Sequence, residues 1–175
     1  MQNDRSILHP LVQQALAEHQ LDVETLACRE EWADTAPFCE HYGFPADEVC
    51  NTIIVVLKKT PREYAACLVR SDSKLDVNHR VASAVSFKRL SFAGPEETAA
   101  LSGMEIGGVT LIGLPAAMPL LIDKRVMERQ HVILGGGNRT SKVRLRPVEL
   151  LKLPGARVEE IAGERGATAG SGPSS

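Results

Sequence analysis

Two glycine clusters and one run of alternating cations are the groups in this sequence whose type and spacing can do chemistry. Gly107 and Gly108 lie within residues 103–119, a stretch of glycines, prolines and small apolar residues with the composition of a loop. Lacking a Cβ, such a backbone can approach a bound molecule closely. Gly135, Gly136 and Gly137 follow an apolar segment and can offer N–H groups to an anion, although they form neither a dinucleotide fingerprint nor a P-loop. Lys142, Arg144 and Arg146 alternate with Val143 and Leu145. On a strand this puts the three cations on one face, and with Arg139 nearby they make a candidate phosphate-contacting stripe.

Other reactive residue types form no pattern. Cys28, Cys39, Cys50 and Cys67 make no CxxC pair and have no His at metal-ligand spacing, so no zinc site or disulfide framework is signalled. The five histidines show no pairing that suggests a hydrolytic triad. Asp123 follows a short apolar run and reads first as an N-cap for residues 124–129, while Thr35 and Thr52 can be caps, strand residues or polar groups in a pocket. Lys58 and Lys59 read as a solvated turn.

The elements that must position these groups are short. An amphipathic helix is predicted over residues 7–19, a strand over 23–28, and a second helix capped by Asp34 or Thr35 and stopped by Gly43. Residues 52–57 and 64–69 are β-branched runs around a polar turn, a hairpin pattern. Asp76 caps a helix carrying Val77, Val81 and Val85, a strand returns at 88–92, and Pro95 opens a helix ending near Gly103. Strands are predicted at 120–122, 131–134 and 142–146, and Pro147 starts a last short helix. This succession predicts an α+β or mixed α/β domain spanning residues 1–162, with a mixed central sheet and helices outside. Apart from Glu164 and Arg165, residues 163–175 are Gly, Ala, Ser, Thr and Pro with almost nothing apolar, the composition of a disordered tail.

Composition excludes little else. Aromatics are 4% of 175 residues, so the core must come from Val, Leu, Ile and Ala. The longest apolar runs are too short to cross a bilayer and no secretory leader is evident, which predicts a soluble cytoplasmic protein. A net charge of −2 gives no global attraction to nucleic acid, so any such contact must be a local basic patch.

Several strings, in order, resemble the YbaK and prolyl-tRNA synthetase-associated editing domain family. They are residues 33–36 (ADTA), the hairpin after Cys50-Asn51-Thr52, residues 101–110 (LSGMEIGGVT), Gly113-Leu114-Pro115, Leu121-Ile122-Asp123 and the Gly135–Gly137 strand end. The similarity runs over residues 11–161. It implies a curled, partly barrel-like mixed sheet surrounded by short helices. It also implies a pocket for the aminoacylated 3′ end of tRNA, and hydrolysis of misacylated tRNA with no cofactor and no metal. Aminoacyl-tRNA is the implied partner, an aminoacyl-tRNA synthetase is compatible with it, and neither DNA nor membrane is implied.

Residue by residue, the family's functional lysine at the start of the first hairpin strand corresponds to Asn51, an amide that donates hydrogen bonds but brings no charge. The family's GxxxP loop corresponds to Gly107-Gly108-Val109-Thr110-Leu111, with Leu in place of Pro. The resemblance thus assigns Asn51, Gly107, Gly108 and Thr110 to catalysis. It assigns Thr35, Thr52, Val109, Leu111, Asp123, Gly135, Gly136 and Gly137 to substrate binding, and leaves Arg139, Lys142, Arg144 and Arg146 as the tRNA stripe. Two functions stay open at this point: a trans-editing deacylase, or a module that binds an aminoacyl end, an amino acid or a protein partner without turnover.

Overall fold

The chain alternates short helices and strands much as its apolar periodicity predicts. In the computed structural model, which describes residues 3–165, the order begins α1 (Pro10–Glu18), β1 (Glu24–Ala27), α2 (Thr35–Tyr42), β2 (Cys50–Leu57), β3 (Glu63–Arg70), β4 (Ser73–Leu75) and α3 (Ala82–Val85). It continues with β5 (Leu90–Phe92), α4 (Pro95–Ser102), β6 (Leu120–Asp123), β7 (Val132–Gly135), β8 (Ser141–Leu145), β9 (Ala156–Glu159) and β10 (Ala162–Glu164).

Local chemistry sets the boundaries. Pro10 occupies the first turn of α1, the His9 ring accepts from the Leu11 N–H, and Val12, Ala15 and Leu16 turn inward. Helix α2 stops at Gly43, whose φ of 76° is a left-handed conformation that suits glycine. The helix predicted after Asp76 forms in two parts: a π-type turn over Val77–Val81, capped by the Asp76 carboxylate, leads into α3. Strands β4, β9 and β10 carry no sequence alternation strong enough to predict them.

The predicted hairpin is the centre of a five-stranded mixed sheet in the order β5-β2-β3-β6-β9, antiparallel on the β2 side and parallel from β3 to β9. A second, antiparallel sheet runs β1-β8-β7, and β10 pairs with β4. The architecture is the expected α+β one, but the sheet does not close into a barrel: β5 and β9 remain edges. The two main sheets meet at a seam where Val49 bridges Ile133 and the Ile133 N–H donates to the Glu48 carbonyl at 2.8 Å. Aliphatic side chains such as Leu16, Leu68, Ile122 and Leu134 fill the space inside. No helix among the described residues is long and apolar enough to cross a membrane.

Two sequence readings change here. Gly163 and Glu164, assigned to a tail by composition, belong to β10, where they pair with Lys74 and Ser73; residues 166–175 lie outside the described part. Asp123, read as a substrate ligand, is turned into the fold. Its fully buried carboxylate accepts from the N–H groups of Ile161 (2.9 Å), Ala162 (3.0 Å) and Arg125 (3.2 Å), so it caps the turn after β6 and fastens the start of β10. Asp123→Ala strands those donors, and a stability loss of roughly 3 kcal/mol or more is expected by denaturant titration. A change of less than about 1 kcal/mol would contradict the anchoring role.

Candidate functional site

A cleft of about 460 Å³ opens over the seam between the two main sheets. Val49, Ile133 and Leu134 form its base, the start of β2 and the α2 turn one wall, Phe92, Ala93 and Pro95 another, and Ile106, Gly107 and Val109 the rim. Most of this lining is apolar, so the few polar groups that face it act in a partly dry setting.

Two side chains from different sheets converge on the turn at residues 33–35. From β2, Asn51 accepts through Oδ1 a hydrogen bond from the Thr35 hydroxyl at 3.0 Å, which leaves its amide N–H groups for a ligand. From β8, Lys142 donates through Nζ to the Ala33 carbonyl at 2.8 Å and lies 4.9 Å from the Phe38 ring centroid. Lys142 is only 6% exposed, and among the described residues no carboxylate lies within ion-pair distance of its ammonium. Burial holds its pKa below the ordinary lysine value, partly opposed by Cys28 and Asp34. A buried cation satisfied by one carbonyl and one aromatic face keeps donors for an incoming anion or carbonyl.

The glycine loops are built against each other. Glu105 donates its N–H to the Gly137 carbonyl at 3.1 Å, and the Gly137 N–H donates to the Gly108 carbonyl at 2.7 Å. A Cβ on Gly108 would run into the Asn138 backbone, so the missing side chain serves contact between loops. Gly107, at φ 91°, makes room for the Arg139 guanidinium. That guanidinium pairs with Asp34 at 3.1 Å and donates to the Glu30 carbonyl, clamping the loop to the start of α2. Among the described residues Gly107 and Val109 donate to no backbone carbonyl, which leaves two N–H groups at the rim. Gly108→Ala is therefore expected to cost about 1–3 kcal/mol in a denaturation experiment; unchanged stability would mean that the loops do not need this contact.

The structure brings together only part of the residues read from sequence. Thr35, Asn51, Thr52, Gly107, Val109, Gly135 and Lys142 line the cleft. Gly108 braces it from behind. Thr110 and Leu111 are buried, Leu111 in the main core and Thr110 with its hydroxyl unpartnered among the described residues. Gly136 and Gly137 spend their N–H groups on the Ser141 and Gly108 carbonyls, so the triple glycine is not an anion nest.

The cationic stripe is broken up: Lys142 is buried against Phe38 of α2, half-buried Arg144 pairs with Glu24 at 3.2 Å, Arg146, exposed just after β8, pairs with Glu149 at 3.4 Å, and Arg139 is the loop clamp. Sequence reading missed Lys142 as a cleft residue, and with it Phe92, Thr98 and Ile106. Cys50 also lines the cleft, but burial raises its thiol pKa far above neutrality, leaving it unreactive. No group of three or more metal-ligating side chains occurs among the described residues.

Comparison with known proteins bears on the family and the fold. Residues 29–153 match the family model of the aminoacyl-tRNA editing domain. The fold is similar to that of a "putative trans-editing enzyme for prolyl tRNA synthetase", with a TM-score of 0.77 and 24% identity over 89% of this chain and 99% of that one. It is also similar to a hypothetical protein of known structure, with a TM-score of 0.78 and 23% identity over 87% and 99% of the two chains. At these identities the structural likeness speaks for the fold alone.

Proposed function

From the premise that the chain belongs to the aminoacyl-tRNA editing domain family, we propose that it is a deacylase acting in trans on misacylated tRNA. The observation that carries this reading is the convergence of Lys142 and Asn51 on the 33–35 turn inside an apolar cleft.

In this reading the ester carbonyl lies between the Lys142 ammonium and the Asn51 amide. Water attacks the carbonyl carbon, and negative charge gathers on the carbonyl oxygen. Lys142 and Asn51 donate to that oxyanion, with the N–H of Gly107 or Val109 at the rim; in low dielectric such donors act more strongly than in water. Collapse of the tetrahedral intermediate breaks the bond to the ribose oxygen, which takes the proton lost by the water. The products are the free amino acid and intact tRNA. Ile54, Ala93 and Ile133 bound the space for the amino-acid side chain and sort it by size.

The alternative, binding without turnover, rests on the uncharged Asn51. Lys142 weakens that argument, because the cleft holds a cation from another strand. The reading is tested by presenting a panel of aminoacyl-tRNAs to the protein and following ester loss against the spontaneous rate. Acceleration of at least one is expected; binding with no acceleration on any member would favour the module that only binds.

A further inference from the structure

The cations first read as a phosphate stripe are buried or paired, yet a second basic surface is open. The turn between β2 and β3 and the segment entering β5 lie side by side, held by a hydrogen bond from the Lys58 N–H to the Arg89 carbonyl at 2.8 Å. They form a hollow lined by Lys58, Lys59, Thr60, Arg62, Phe87 and Arg89. Lys88 is exposed beside it. Lys59 pairs with Glu63 and Arg62 with Glu97. Lys58, Lys88 and Arg89 are exposed and make no ion pair among the described residues.

Strand β5 runs from the hollow to Phe92, a cleft-lining aromatic that is 42% exposed. Arg89 and Phe92 are three residues apart, about 10 Å on an extended strand, and Lys58 is seven residues from Asn51 along β2, about 23 Å. An exposed ring lining the cleft, with unpaired cations at the end of β2 and at the entry to β5, supplies what single-stranded nucleic acid needs: a face for a base and charge for the backbone.

We propose that Phe92 and the Lys58–Lys88–Arg89 surface bind the single-stranded 3′ end of tRNA, with a terminal base on the Phe92 ring and the preceding phosphates on the three cations. The proposal rests on the deacylase reading for its partner, but binding can be tested without hydrolysis. The ring and the cations make different demands. Stacking is insensitive to salt, whereas each phosphate contact releases counterions and steepens the salt dependence.

The experiment is a titration of uncharged tRNA against the full chain at several salt concentrations. It compares the wild type, Phe92→Ala, the triple variant Lys58→Ala/Lys88→Ala/Arg89→Ala, and Arg146→Ala as a control on an exposed, paired cation just after β8. All the substituted side chains are exposed, and circular dichroism checks that each variant is folded. The triple variant should bind about tenfold or more weakly, with a salt slope shallower by roughly 0.7 for every phosphate it no longer engages. Phe92→Ala should bind about fivefold or more weakly with an unchanged slope, and Arg146→Ala should match the wild type. Hydrolysis of a minimal aminoacyl-adenosine ester by the triple variant should equal that of the wild type.

Equal affinity and slope in the triple variant would overturn the proposal, and so would a wild type that binds no tRNA. The predicted slopes together with no ester cleavage on any substrate would uphold this surface and overturn the deacylase reading. Cleavage of the minimal ester with unaltered tRNA slopes would do the reverse.

Discussion

Replacing Lys142 by Met is expected to slow ester cleavage about a hundredfold or more while leaving the protein at least as stable as its parent. The kinetic loss follows from the position of the ammonium. Removing one preorganised donor to a developing oxyanion costs about 10²–10³ in rate. The stability result follows from its burial. Lys142 is 6% exposed with no carboxylate partner among the described residues, and exchanging a buried charge for an apolar side chain of similar length is often neutral or stabilising.

The same substitution has a signature in pH. Burial lowers the folded-state pKa of Lys142 below 10.5, its unfolded value. Between those two values the unfolded chain binds more protons than the folded one, so stability contributed by this residue rises with pH across that window and is flat below it. Denaturant midpoints of the wild type should therefore carry an alkaline rise that Lys142→Met lacks. Equal pH profiles for the two proteins would mean that the ammonium is better solvated than its surroundings indicate.

The second large effect concerns where the charge stands rather than whether it is present. Asn51 and Lys142 reach the same turn from opposite sheets, so Asn51→Lys places a new ammonium in the same cleft. In the parent this sets a second cation against the buried one in the same cleft and is expected to lower both stability and activity. In the Lys142→Met background the new lysine is the only ammonium at that turn. There, Asn51→Lys is expected to recover activity about tenfold or more over Lys142→Met alone. Single-turnover rates of the four proteins make the cycle. Additive losses, with no recovery in the double variant, would show that a cation on β2 cannot act for one on β8.

The misreading of Lys142 shows where sequence reasoning stops. The Lys-Val-Arg-Leu-Arg alternation correctly gave a strand, now β8. Period-two alternation says which residues share a face, however, and not whether that face meets water. Here the face is covered at Lys142 by Phe38 of α2, and Val143 is buried on the other side, so at that point the strand is enclosed on both faces. The hairpin was legible because its apolar runs are long and flanked by a polar turn. Strands β9 and β10 were not, because ARVE and AGE gain their order from neighbours: the parallel ladder to β6 and the Asp123 carboxylate.

The glycines teach a similar lesson. Their type signalled close approach of a backbone, and such approach is present, but at Gly108 the approaching group is Asn138 of the same chain. Asp123 was visible as a cap, while its longer reach to Ile161 and Ala162 depends on tertiary packing that no local window contains. Asn51 was found through a short string resembling a known family. What it faces became apparent only once β8 was placed across the cleft.

The most direct test of the central claim, that this cleft cleaves aminoacyl esters with Lys142 as its cation, is a single-turnover deacylation assay over a panel of aminoacyl-tRNAs. Wild type and Lys142→Met run side by side, both confirmed as folded. The account predicts that the wild type removes at least one amino acid far faster than spontaneous hydrolysis, and that Lys142→Met loses about a hundredfold or more of that rate. Equal rates for the two proteins, or no acceleration by the wild type on any tRNA, would contradict it.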